Sequence, residues 1–144
     1  DLGDLLQAHV KDFMLLNTEQ EVKLLLDKNC ILQGSREHLN RLIQNCLSNI
    51  SRHTPPDTPV RVSLKVRGKR IHLIIEDGGP GLPDSAYGSS ITAMQRFDPS
   101  RSRESGGSGL GMSIIAAIIR EHGGELELRK SELGGLAIAI ELPR

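Results

Sequence analysis

Three clusters in this 144-residue chain combine residue types and spacings that can do chemistry. Asn45 and Asn49 stand four residues apart in a stretch of helical periodicity, with Arg52 three residues further on, so all three leave one side of a helix. Two amide oxygens suit a hard cation such as Mg²⁺ that keeps several waters, and a guanidinium suits phosphate. A solvated polar helix face is the plainer reading of the same residues. In the second cluster the apolar run Ile74-Ile75 leads into Glu76-Asp77-Gly78-Gly79-Pro80-Gly81. A carboxylate fixed at a strand end can accept a hydrogen bond from an amino group, and glycines let a flat ligand approach bare backbone. An ordinary turn uses the same residues. In the third, Gly106-Gly107-Ser108-Gly109-Leu110-Gly111 runs directly into an apolar-periodic segment. Unobstructed N–H groups at a helix start form a phosphate site. Gly109 is followed by Leu110 where a P-loop needs Lys, and no strand precedes the glycines as a dinucleotide fingerprint requires.

The elements that must position these groups are legible in the hydrophobic pattern. Leu2, Leu5, Leu6 and Phe13 predict a helix over residues 1–16, and the alternation of Val22, Leu24 and Leu26 predicts a strand. Ser35 is a candidate N-cap for a helix whose stripe is Leu39, Leu42, Ile43, Cys46, Leu47 and Ile50, ended by Thr54-Pro55-Pro56. Val60, Val62, Leu64 and Val66, then Ile71, Leu73 and Ile75, read as a hairpin turning at Gly68 with one apolar face. Met112, Ile115, Ile118 and Ile119 mark a helix stopped at Gly123-Gly124. Two strands follow, the first through Leu126 and Leu128, the second from Leu136 to Leu142 across a turn at Gly134-Gly135. One-faced strands need a cover that amphipathic helices supply, which predicts a two-layer α/β sandwich. Eight of the fifteen glycines fall between Gly78 and Gly111. A long irregular segment within a compact domain is usually a functional loop or lid.

Composition narrows the function. The chain is long enough for one domain, and its 38% hydrophobic content supports a core that must be aliphatic, since aromatics make up 2%. Few aromatics and a formal net charge of zero argue against a nucleic-acid partner. Cys30 and Cys46 have neither metal-ligand spacing nor the number for a disulfide framework, so a reducing, cytosolic setting is expected. No apolar run reaches the length of a membrane span. The chain opens on Asp1 rather than Met, from which a piece of a longer protein is expected.

The order of the three clusters resembles the ATP-binding domain of bacterial sensor histidine kinases, in the GHKL ATPase superfamily. Asn45 to Pro55 is similar to the N box, Asp77-Gly78-Gly79-Pro80-Gly81 to the G1 box, Gln95-Arg96-Phe97 to the end of the F box, and Gly107-Ser108-Gly109-Leu110-Gly111 to the G2 box. The resemblance spans nearly the whole chain. It implies about three helices on one face of a mixed, largely antiparallel sheet of about five strands, in a single domain 1–144 with a lid at about 82–108. It further implies that Asp77 holds the adenine amino group, that Asn45 and Asn49 serve Mg²⁺ and the phosphates, and that Arg52 contacts phosphate. Gly79 and Gly81 would let the base pack closely, Gly107, Gly109, Leu110 and Gly111 would line the phosphate loop, and Arg101 and Arg103 in the lid would be candidates to contact phosphate, a solvated loop being the plainer reading of both. The chain departs from the family where His53 stands for the aromatic beside adenine and Met94 for the first F-box phenylalanine.

The cofactors implied are ATP and Mg²⁺, and the implied activity is donation of the γ-phosphoryl group to a histidine. None of His9, His38, His53, His72 and His122 sits before an acid in a helical hairpin, so no residue of this chain is expected to be the acceptor. The expected partners are therefore a separate dimerisation and histidine-phosphotransfer domain and, downstream, a response regulator. The expected setting is a cytoplasmic, monomeric catalytic domain of a protein anchored in the inner membrane. Two alternatives share the fold: a catalytically weak nucleotide-binding module and an anti-sigma-factor-type serine kinase.

Overall fold

The computed structural model describes residues 1–88 and 111–144. Helix α1 (Leu2–Leu16) begins at Asp1, whose carboxylate accepts from the N–H groups of Gly3 and Asp4 at 2.7 and 3.3 Å. Strand β1 (Val22–Leu26) follows, then helix α2 (Arg36–His53). Ser35 caps α2 as predicted, its hydroxyl accepting from the His38 N–H at 3.2 Å. Thr54 closes the other end, where its hydroxyl donates to the Ile50 carbonyl at 2.6 Å. Strands β2 (Val60–Arg67) and β3 (Arg70–Asp77) form the hairpin, with Gly68 at φ +60° in the turn. A single 3₁₀ turn spans Asp84–Ala86, and helix α3 is Gly111–Glu121. Strands β4 (Glu125–Lys130) and β5 (Leu136–Pro143) complete the order.

The five strands form one sheet in the order β1-β2-β3-β5-β4. Only β1 and β2 run parallel, because the chain between them crosses over through α2; the other pairs are antiparallel. The three helices cover one face of this mixed sheet, as the pattern and the resemblance both predicted. The α2 stripe is buried at all six predicted positions and meets Val62, Leu64, Ile71, Leu73 and Ile75 of the hairpin and Ile115 and Ile119 of α3 in one core. Each such side chain contributes about 1.5–3 kcal/mol of burial. α1 is fastened to α2 by a His9–Asn40 hydrogen bond of 2.8 Å, and α2 to α3 by a His38–Glu121 pair at 2.6 Å. Strand β1 differs from expectation. Val22 and Leu26 are half-buried, while Leu24 and Leu25 are 36% and 43% exposed. As the edge strand it reaches past the helical cover, so its alternation does not translate into one dry face. Among the described residues no helix is long and apolar enough to cross a membrane.

Candidate functional site

Asp77 ends β3 opposite Val60, on the helix-covered side of the sheet, and is only 6% exposed. Its Oδ1 accepts from the backbone N–H of Gly79 at 2.9 Å and of Leu136 at 3.4 Å. Burial pushes the carboxyl above its ordinary pKa, the two backbone donors pull it down, the Glu76 charge pushes up and His53 pulls down, with a net rise. No donor among the described residues reaches Oδ2. The neighbouring acid has a different fate. Strand alternation sends Glu76 to the other face, where Arg61 Nε pairs with it at 3.1 Å and the Ser131 hydroxyl donates at 2.8 Å.

Backbone packing fixes the rim around Asp77. The Gly135 N–H donates to the Asp77 carbonyl at 3.1 Å, and a Cβ at Gly135 would stand 2.6 Å from both that oxygen and the Gly79 nitrogen. Only a bare Cα fits there. Gly81 lies over Gly135 at φ +71°, and a Cβ on it would fall 2.7 Å from the Tyr87 hydroxyl. A Cβ on Gly79 would meet the Thr54 methyl at 2.6 Å. In the structure the small size of Gly79 and Gly81 thus serves the protein's own packing, between α2 and Tyr87.

Asp77 shares a cavity of about 220 Å³ with Asn49, Ile50 and His53 from α2, Thr54 at its C-terminal end, Met112 from α3, and Gly81 and Leu82 after β3. Ile75, Leu128, Leu136 and Ile138 of the sheet close it from behind. The described walls enclose less than the roughly 300–1,000 Å³ typical of sites that swallow a whole ligand. They suit a flat ring system with one polar edge against a carboxylate.

The structure therefore brings together Asn49, His53, Asp77 and Gly81, with Gly79 donating directly behind them. Asn45 is not on this cavity's wall. It lines a groove between α1 and α2 with His9, Asp12 and Phe13. Its buried Nδ2 has no hydrogen-bond partner among the described residues, an uncompensated cost that a bound polar group would relieve. Arg52 is exposed on the last turn of α2, off the cavity wall. Gly111 opens α3. Arg101, Arg103, Gly107, Gly109 and Leu110, with Met94 to Phe97, lie outside the described residues. Of the segment expected to be a lid, residues 82–88 pack on the sheet, with Ala86 buried and Gly88 bridged to Leu128 by two backbone hydrogen bonds of 3.0 and 2.9 Å. Sequence reasoning missed Gly135, Tyr87 and Thr54. Gly134-Gly135 was legible as a turn, but its contact with Asp77 joins residues far apart in the chain.

The profile of the histidine kinase-, DNA gyrase B- and HSP90-like ATPase family matches residues 34–144. The signal transduction histidine-protein kinase BaeS of Escherichia coli is 36% identical over 110 residues, 76% of this chain and 24% of that protein. The sensor protein RstB of the same organism is 32% identical over 148 residues, 99% of this chain and 33% of that protein. The chain thus spans about a quarter to a third of the length of these relatives. In fold, the crystal structure of the ATP-binding domain of PrrB from Mycobacterium tuberculosis superposes with a TM-score of 0.78 at 24% identity, covering 99% of this chain and 93% of that one. With the family profile covering most of its length, this chain belongs to the histidine kinase-, DNA gyrase B- and HSP90-like ATPases, and the relatives it matches are sensor kinases.

Proposed function

We propose that this domain binds Mg-ATP, with adenine in the Asp77 cavity, and donates the γ-phosphoryl group to a histidine on a separate dimerisation domain. The observation that carries the reading is Asp77 itself. Its Oδ1 is spent on two backbone donors, so its orientation is fixed, and the residue lines a mostly apolar, ring-sized cavity with Oδ2 still able to accept. An exocyclic amino group is the natural donor for that oxygen. His53 and Ile50 flank the ring, and Met112 adapts to its shape.

The donor set also fits a hydrated cation with phosphates. Asn49 lines the cavity, and one turn earlier the buried Asn45 Nδ2, an N–H donor with no partner among the described residues, suits a phosphate oxygen. When bound, Mg²⁺ neutralises phosphate charge and orients the leaving diphosphate. The amide oxygens of Asn45 and Asn49 would hold it, either directly or through its waters. Arg52, free of the wall, is long enough to swing onto a phosphate at the same helix end. Transfer then needs the acceptor imidazole in line, with ADP leaving as the new P–N bond forms. That acceptor belongs to a partner domain, and a response regulator is the expected next recipient. Such a domain works on the cytoplasmic side of a membrane-anchored receptor.

The test is to mix the 144-residue chain with the cognate histidine hairpin and ATP labelled at the γ-phosphate. Labelled hairpin, lost with Asn49→Ala, is expected. Bound ATP with no labelled hairpin would reduce the domain to a nucleotide-binding module.

A further inference from the structure

Tyr87 performs a task that neither the sequence pattern nor the cavity lining assigns. Its hydroxyl accepts the Leu82 N–H at 2.9 Å and sits over the Cα of Gly81, leaving no room there for a side chain. A Cβ on Gly81 would also come to 3.5 Å from Gly135, whose own N–H donates to the Asp77 carbonyl at 3.1 Å. One hydroxyl therefore stands at one end of a run of neighbouring backbone, Gly81 and then Gly135, whose other end is Asp77. The ring is partly buried against the core. Its face is covered by the Lys130 ammonium at 5.9 Å from the centroid, and Lys130 is drawn in by Asp84 at 3.0 Å. One residue on, the Gly88–Leu128 bridge fastens the strap of residues 82–88 to β4 beside the cavity wall.

We propose that Tyr87 is a positioning residue that, through Leu82 and the Gly81–Gly135 stack, sets where the Asp77 carboxylate meets the purine amino group. This rests on the adenine reading above. Tyr87 touches no ligand itself, so its loss acts on one contact, the amino group, and not on binding in general.

Tyr87→Phe keeps the ring and removes only the hydroxyl. The measurement is the affinity of the 144-residue chain for Mg-ADP and for the diphosphate of purine riboside, which lacks the 6-amino group. The wild type should prefer ADP, and in Tyr87→Phe that preference should shrink about 5- to 10-fold, with binding of the amino-free analogue unchanged. A role limited to stability would weaken both ligands alike and leave the ratio untouched. An unchanged ratio in a variant that still binds ADP overturns the proposal. A wild type that binds no ADP overturns the adenine reading and this inference with it, and a wild type that binds both ligands equally removes the amino-group contact while leaving nucleotide binding intact. Hydrogen exchange supplies a check that needs no variant. The Leu82 amide should be among the slowest between residues 82 and 88, and free exchange there overturns the proposal.

Discussion

Asp77 carries a conflict between folding and its proposed role. A carboxyl whose folded pKa lies above its unfolded one binds more protons in the folded state. Its contribution therefore favours the fold at acid pH and is lost as pH rises through the folded value, so at neutral pH the ligand-free domain bears an unfavourable charge. Asparagine can still accept from Gly79 and Leu136 while removing that charge. Asp77→Asn is thus expected to raise the melting temperature of the ligand-free chain at pH 7, with the gain fading on acidification. The same variant should weaken Mg-ADP by on the order of 10- to 100-fold, since the lost bond is to a charged acceptor. Calorimetric melting and titration read both effects, and equal affinity would remove Asp77 from the site. Gly135 offers a second residue-scale test. A methyl there meets backbone on two sides, so Gly135→Ala should cost about 1–3 kcal/mol in chemical denaturation.

At the scale of elements, α2 is both the spine of the core and the source of the site's polar groups. Leu42, Ile43 and Cys46 face inward while Asn49 and His53 reach the cavity. Burial pushes the Cys46 thiol up to about 12, so it is neither ionised nor accessible in the folded state. Its reaction with a thiol reagent should follow global unfolding, accelerating with denaturant in step with loss of helix signal. Rapid labelling under native conditions would mean that α2 lifts away from the sheet. Leu42→Ala removes a fully buried side chain and should cost about 2–5 kcal/mol by equilibrium denaturation. A core truncation of that size also loosens the seat of Asn49, so nucleotide affinity should fall with stability.

At the scale of the molecule, the cavity draws walls from α2, α3, the sheet and the strap that follows β3. A ligand held by all of them cannot bind the unfolded chain. At one hundred times its dissociation constant, Mg-ADP should therefore add about 2.7 kcal/mol, a melting shift on the order of 10 °C. The architecture was legible in the sequence because it rests on short-range periodicity. The stripe from Leu39 to Ile50 and the alternation from Val60 to Ile75 each report burial directly. Asp77 was legible for the same reason, as the acid that breaks an apolar strand before glycines. That Asn49 lines the cavity while Asn45 lines the groove beside α1 was not, because spacing puts both on one side of α2 and the groove exists only once α1 has packed there. Tyr87 and Gly135 were invisible because their meaning lies in contacts across the fold. The exposure of Leu24 and Leu25 followed from sheet order, which alternation does not encode.

Glu76 and Asp77 adjoin in the chain yet serve opposite sides of the molecule, one neutralised by a guanidinium, the other held by main-chain amides. Strand alternation decides which acid goes where, and the buried Ile71, Leu73 and Ile75 hold that phase. A one-residue slip of β3 that exchanged the acids would also drive those three side chains into water, so the proposed purine acceptor is kept in place by the same apolar residues that bind the sheet to the helices.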